Sequence, residues 1–353
     1  MNFSFINAVY RTDTFPPEDP WICNYPINYY YYGQAVFSIL GRFIGLPPEY
    51  LFNLAGVTVT ALAGLAVFTL AFALSRKVWV GLLAVYLSVF SAHWLTYVNI
   101  VKYKNQLQEV GVVDFLAGFV DALIGMGVAV KTLLGLRQGM MDEVIPNIYD
   151  TVFWNARNVF LGTAASEFPY WTHLFMDFHA HMLVMSFTLA FLALLYAYFA
   201  QPRKQIGNGI AVGYVAALAL LLGTVICTNT WDLPALLFSV LFVMALKFWR
   251  ESEVLHGRAT NVPWLAPETW QSLGRFPLMP TLAIFALALF LMYPFFFWFD
   301  SRVTSVGLMT QGNTPVSTYL GFFIHLLFPV ITLTVLLAIT RLDGKISKAR
   351  TLL

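Results

Sequence analysis

Glu167-Phe168-Pro169-Tyr170-Trp171-Thr172-His173-Leu174-Phe175-Met176-Asp177-Phe178-His179-Ala180-His181 opens an apolar run that continues to Ala200. Up to three imidazoles and a carboxylate are thereby drawn into the outer part of a membrane helix, where ionisable groups are costly and usually functional. Read as a single helix at about 100° per residue, the run puts His173, Asp177 and His181 on one narrow face, with His179 pointing away. The expectation is a polar stripe inside hydrocarbon.

The surrounding chain supplies the hydrocarbon. Of 353 residues, 59% are hydrophobic and only 11% are charged, against about 25% charged in a soluble domain. The composition predicts an all-α integral membrane protein of about seven transmembrane helices. Seven segments match a core of about 30 Å, at 49–74, 79–98, 171–200, 207–227, 231–249, 278–299 and 317–340. A net charge of +2, with no block of like charge, excludes nucleic acid as a partner. Cys23 and Cys227 give neither a disulfide framework nor a metal-ligand spacing, although the topology puts both near one membrane face.

Placing residues 1–48 outside puts 12 of the 20 Lys and Arg in short inner connections, the bias the positive-inside rule requires. Four parts follow: a first outer loop, 1–48; a transmembrane hairpin, 49–98; a second outer loop, 99–170; and a five-helix region, 171–353. Residues 29–46, opening on Tyr29-Tyr30-Tyr31-Tyr32, read as an interfacial or re-entrant helix, because a span there would invert every later loop. Residues 106–136, interrupted by Glu109, Asp114, Asp121 and Lys131, read as an amphipathic helix on the outer surface or a lid over it.

The candidate chemistry gathers on that outer side. Glu18-Asp19, between Pro17 and Pro20, offers a base or ligand, or else only a rigid turn. Arg157 suits a phosphate through its planar fork, or an ion pair with Glu167 or Asp150. Asp177, His179 and His181 suit a divalent metal such as Mg or Mn, or a carboxylate and imidazole doing acid–base work, against a plain polar cluster between helices. Asn229 and Asp232 fit a tight turn but face the same outer cavity. Tyr293 to Phe299 forms an aromatic belt or a groove for a lipid tail.

Together Phe15-Pro16-Pro17-Glu18-Asp19-Pro20-Trp21, Tyr29-Tyr30-Tyr31, Trp154 to Arg157, Glu167-Phe168-Pro169, Asp177-Phe178-His179-Ala180-His181 and Asn229-Thr230-Trp231-Asp232-Leu233-Pro234 resemble the YYY family of bacterial and archaeal membrane proteins. That family stands near the type-C glycosyltransferases (GT-C), so the resemblance implies a GT-C-like fold and sugar transfer from a polyprenyl-phosphate donor at the outer face of the cytoplasmic membrane. By that resemblance Asp19 or Glu18 is the catalytic base, and Arg157 holds the lipid phosphate. Asp177 with His179 or His181 positions a divalent ion or the donor phosphate, while Glu167, Asn229, Asp232, Tyr29 and Tyr30 bind substrate. The resemblance also leads one to expect a helix before Met1 and an acid where this chain has Asn2. An outer segment with no preceding span has no evident way across the membrane, so a fragment, a late start or a divergent subunit is expected. The alternative functions are a non-catalytic subunit packing against other membrane subunits and, with less support, a transporter.

Overall fold

The computed structural model describes residues 2–91, 157, 168–201, 208–256, 279–300, 323 and 327. Among them the chain is helical, and the one extended pairing is an isolated Glu18–Pro26 bridge. Contacts divide the chain into two units, Met1–Val89 with Met176–Val306 and Phe90–Phe175 with Gly307–Leu353. The expected span at 317–340 and the amphipathic helix at 106–136 lie outside the described residues.

The first unit opens with α1 (Asn2–Arg11), then α2 (Tyr32–Phe43) and α3 (Pro48–Ser75). α3 starts on a proline in its first turn, where a missing N–H costs nothing, and stops at Arg76, whose left-handed φ of 58° lets its N–H close on the Phe72 carbonyl at 2.7 Å. α4 (Val78–Val85) runs into a π turn, Tyr86–Phe90. The unit continues with α6 (Ala180–Ala200), α7 (Asn208–Thr228), a 3₁₀ turn at Thr230–Asp232, α8 (Leu233–His256), α9 (Met279–Leu291) and α10 (Tyr293–Trp298). Between α4 and α6, α5 (Pro169–Phe175) belongs to the second unit.

Among the described residues, four stretches are long and apolar enough to cross a membrane: Pro48–Ser75, Ala180–Ala200, Gly209–Thr228 and Thr230–Lys247. Val78–Phe90 and Met279–Leu291 are apolar but shorter. α6, α7, α8 and α9 share one core through Phe191, Leu195, Leu222, Val240, Met244 and Ile284.

The single helix expected over 171–200 is not formed. α5 ends at Phe175, Met176 turns left-handed at φ 52°, and α6 begins only at Ala180. A left-handed non-glycine residue costs about 1–2 kcal/mol. The break is offset by Phe178, fully buried between Phe37 at 5.7 Å and Phe52 at 5.5 Å, two ring contacts of about 0.5–1.5 kcal/mol each. Gln34 Nε2 then takes up the Phe178 carbonyl at 3.1 Å.

Tyr29, Tyr30 and Tyr31 precede α2, and only Tyr32 enters its first turn. Tyr29 stacks on Phe5 at 5.4 Å, Tyr30 meets Phe299 at 5.0 Å, and the buried Tyr31 meets Phe295 at 5.4 Å. Burial, with Cys227 adding to it, pushes the Tyr31 phenol up to about 12, so it stays a hydrogen-bond donor at neutral pH. Cys227 is buried and Cys23 exposed, and both are free thiols.

Close approach at two glycines sets the bundle. A Cβ on Gly33 would stand 3.0 Å from Leu183 Cβ and 3.0 Å from Thr228 Cγ2, so α2 rests on α6 and α7 together. A Cβ on Gly223 would meet Met292 Cγ at 2.7 Å and the Ala288 carbonyl at 3.2 Å. Gly33→Val is expected to destabilise the chain by about 1–3 kcal/mol through overpacking. The check is the thermal unfolding midpoint in detergent; a midpoint equal to the native one would mean that α2 is not packed as described.

Candidate functional site

The break between α5 and α6 brings Asp177 and His179 into direct contact. In a continuous helix residues two apart diverge by about 200°; here His179 is the extended cap residue of α6, and its Nδ1 hydrogen-bonds Asp177 Oδ1. His179, expected to point away from the polar face, is thus the closest partner of Asp177. The Asp177 side chain is 7% exposed and that of His179 34% exposed. A buried carboxylate therefore orients a reachable imidazole.

A third group arrives from α1. Asn2 Nδ2 donates to Asp177 Oδ1 at 3.3 Å and lies 3.2 Å from His179 Nδ1. A carboxylate oxygen can only accept, so its contact with His179 Nδ1 places a proton on that nitrogen.

One turn into α6 the polar surface continues. The His181 ring stacks on that of His179 at 5.9 Å and 17°, and lies within electrostatic reach of Asp232. Asp232 stands where the tight α7–α8 connection returns; its Oδ2 accepts from Thr188 Oγ1 at 2.9 Å and its Oδ1 from Asn229 Nδ2 at 3.2 Å. Asn2, Asp177, His179, His181, Thr188, Asn229 and Asp232 are therefore linked, although they come from three separate parts of the sequence.

A family model described as an uncharacterized membrane protein family, DUF2298, matches residues 1–352. The chain belongs to this family. Comparison with curated proteins and with solved structures found no match.

The other expected site residues of this DUF2298 protein are placed as follows. Asp19 Oδ1 accepts the backbone N–H of Trp21 at 2.8 Å and of Ile22 at 3.1 Å. Glu18 Oε1 accepts the N–H of Asn24 at 2.7 Å, and Asn24 is itself left-handed at φ 64°. Both carboxylates hold the turn of their own loop. Tyr29 and Tyr30 pack against aromatic rings, as described above. In the second unit, the Arg157 guanidinium lies 4.9 Å over the Trp171 ring and its carbonyl accepts the Phe168 N–H at 3.0 Å, while His173 is buried on α5. The continuous helix from which the stripe of His173, Asp177 and His181 was expected is interrupted at Met176. Glu167 lies outside the described residues.

Sequence reasoning about the DUF2298 site missed two members. Thr188 is seven residues after His181 on the same helix, hence on the same face, a signal that was available. Asn2 carried no signal of contact, only the expectation of an acid at its position.

Among the described residues no three His, Cys, Asp or Glu side chains are arranged to hold a metal. Asp177 and His179 are bound to each other, and both Asp232 oxygens accept from Thr188 and Asn229.

Beside α2 and α10 an apolar cleft of about 250 Å³ is lined by Tyr31, Tyr32, Val36, Ile39, Phe295 and Trp298, among others.

Proposed function

We propose that this membrane protein transfers a sugar from a polyprenyl-phosphate donor to an acceptor hydroxyl at the outer face of a bacterial or archaeal cytoplasmic membrane, with His179 as general base. The observation that carries the reading is the pairing of a buried Asp177 with a partly exposed His179 at the head of a membrane helix. Such a pair fixes the imidazole tautomer and stabilises the imidazolium formed when Nε2 takes a proton. Glu18 and Asp19 become supports of the first loop, because their oxygens already take backbone N–H groups.

In the reaction the acceptor hydroxyl gives its proton to His179 Nε2 and its oxygen bonds to the anomeric carbon. The bond from that carbon to the phosphate oxygen breaks, and polyprenyl phosphate leaves with the electron pair. The donor already carries a good leaving group, so positioning and charge stabilisation supply most of the acceleration. Asp232, Asn229 and Thr188 take sugar hydroxyls, and the apolar cleft of Tyr31, Val36, Phe295 and Trp298 takes the start of the lipid chain.

Membranes containing the native chain, its Asp177→Asn variant or no added protein are incubated with radiolabelled polyprenyl-phosphate sugars. Label passes to an acceptor fraction only with the native chain. Native membranes no better than the protein-free control would overturn sugar transfer; equal transfer by native and variant would remove Asp177 from the mechanism.

A further inference from the structure

We infer that Asp177 and His179 form a metal-free pair, and that the amide of Asn2 is the group that keeps divalent cations out. A cation of the Mg or Mn type needs several oxygen ligands in near-octahedral array, and at membrane depth its charge must be matched by anions. This site supplies one anion. Asp177 Oδ1, the oxygen such an ion would seek, already accepts from His179 Nδ1 and from Asn2 Nδ2 at 3.3 Å. Both donors present their positive end to it.

Turning the Asn2 amide over does not rescue a cation site. It would leave one carboxylate, one amide oxygen and one imidazole, a charge of −1 facing +2, and burial makes that mismatch expensive. The next carboxylate, Asp232, has both oxygens engaged by Thr188 and Asn229. The Asn2 Oδ1 is buried with no partner in the fold, so the side chain is held for the sake of its N–H end. Changing that single amide to a carboxylate removes a donor, adds a charge and leaves two carboxylates beside an imidazole. The identity of residue 2 is thus the switch between a hydrogen-bonded pair and a cation site. This holds whether or not the chain transfers sugar, because it concerns binding alone.

The test titrates Mn²⁺ into detergent-purified protein and reads free Mn²⁺ by electron paramagnetic resonance. The native chain shows no saturable binding. Asn2→Asp gains about one ion per chain, at least about 100-fold tighter than native, because a second anionic ligand is present. Asn2→Asp combined with Asp177→Asn loses it again. Stoichiometric binding by the native chain that disappears in Asp177→Asn would overturn the inference, as would an Asn2→Asp chain that binds no tighter than native. The native chain also gives a test free of any variant: its unfolding midpoint stays the same with EDTA and with millimolar Mn²⁺. A midpoint raised by Mn²⁺ or lowered by EDTA would mean that a cation binds the folded state, and would refute it.

Discussion

His179→Gln lowers the rate of label transfer by about 10²–10⁴-fold, the range expected for loss of a positioned general base. Glutamine keeps an N–H to offer the Asp177 carboxylate, so the hydrogen bond that closes the start of α6 survives, but no group of useful basicity remains. The effect falls on kcat, with KM little changed, because the proton is transferred only in the transition state. Asp177→Asn gives a loss of similar size for a different reason. An amide at 177 donates where the carboxylate accepted, which favours the tautomer with the proton on Nε2 and removes the base without removing the ring. Transfer by His179→Gln at the native rate would show that the pair is structural only. A fall in KM-controlled rate alone, with kcat intact, would make His179 a substrate-binding group.

Lys247→Ala is expected to cost about 2–4 kcal/mol of stability, the largest effect on folding foreseen at a single side chain of the bundle. Lys247 lies on α8 and is fully buried. Its Nζ donates to the carbonyl of Gln201, the residue that caps α6, and stands 5.0 Å over the Tyr198 ring. A cation at the C-terminal end of a helix answers the partial negative charge of its last carbonyls, and the aromatic face adds a second attraction. Alanine removes both and leaves a cavity. Lys247→Met keeps most of the volume and is expected to cost about half as much, because packing survives while the carbonyl loses its donor. Thermal unfolding in detergent distinguishes the two variants. If both melt with the native chain, Lys247 holds nothing.

The long apolar runs were legible because length and composition alone define a spanning helix. α3 and α7 begin and end close to where the residues predicted, while α8 begins there but runs on to His256. The start of α6 was not legible, since no Gly or Pro marks Met176 and the apolar pattern continues through it. The break is imposed from outside, by Phe37 and Phe52 around Phe178 and by Gln34 on its carbonyl, residues more than a hundred positions away in sequence. For the same reason the polar residues were found as a set but arranged wrongly. Asp177, His179, His181, Asn229 and Asp232 are joined in one cluster, yet helical spacing separated the one pair that touches. Lys247 lies near the inner end of the expected span 231–249, with nothing in the sequence to name its partner. Only the fold shows that α6 ends beside it.

The bond between Asn2 and Asp177 joins positions 175 apart in the chain. At a synthesis rate of about 5–20 residues per second, α1 exists for roughly 10–35 s before its polar partner is made. During that interval α1 has α2 and α3 to dock on, through Ile6 and the Ser38 hydroxyl bonded to the Ile6 carbonyl at 3.2 Å. The cluster can close only once α6 has been made, after α1, α2 and α3. A slowed or stalled ribosome between these elements would yield a chain that is membrane-inserted and partly packed, but that still lacks the carboxylate Asn2 is waiting for.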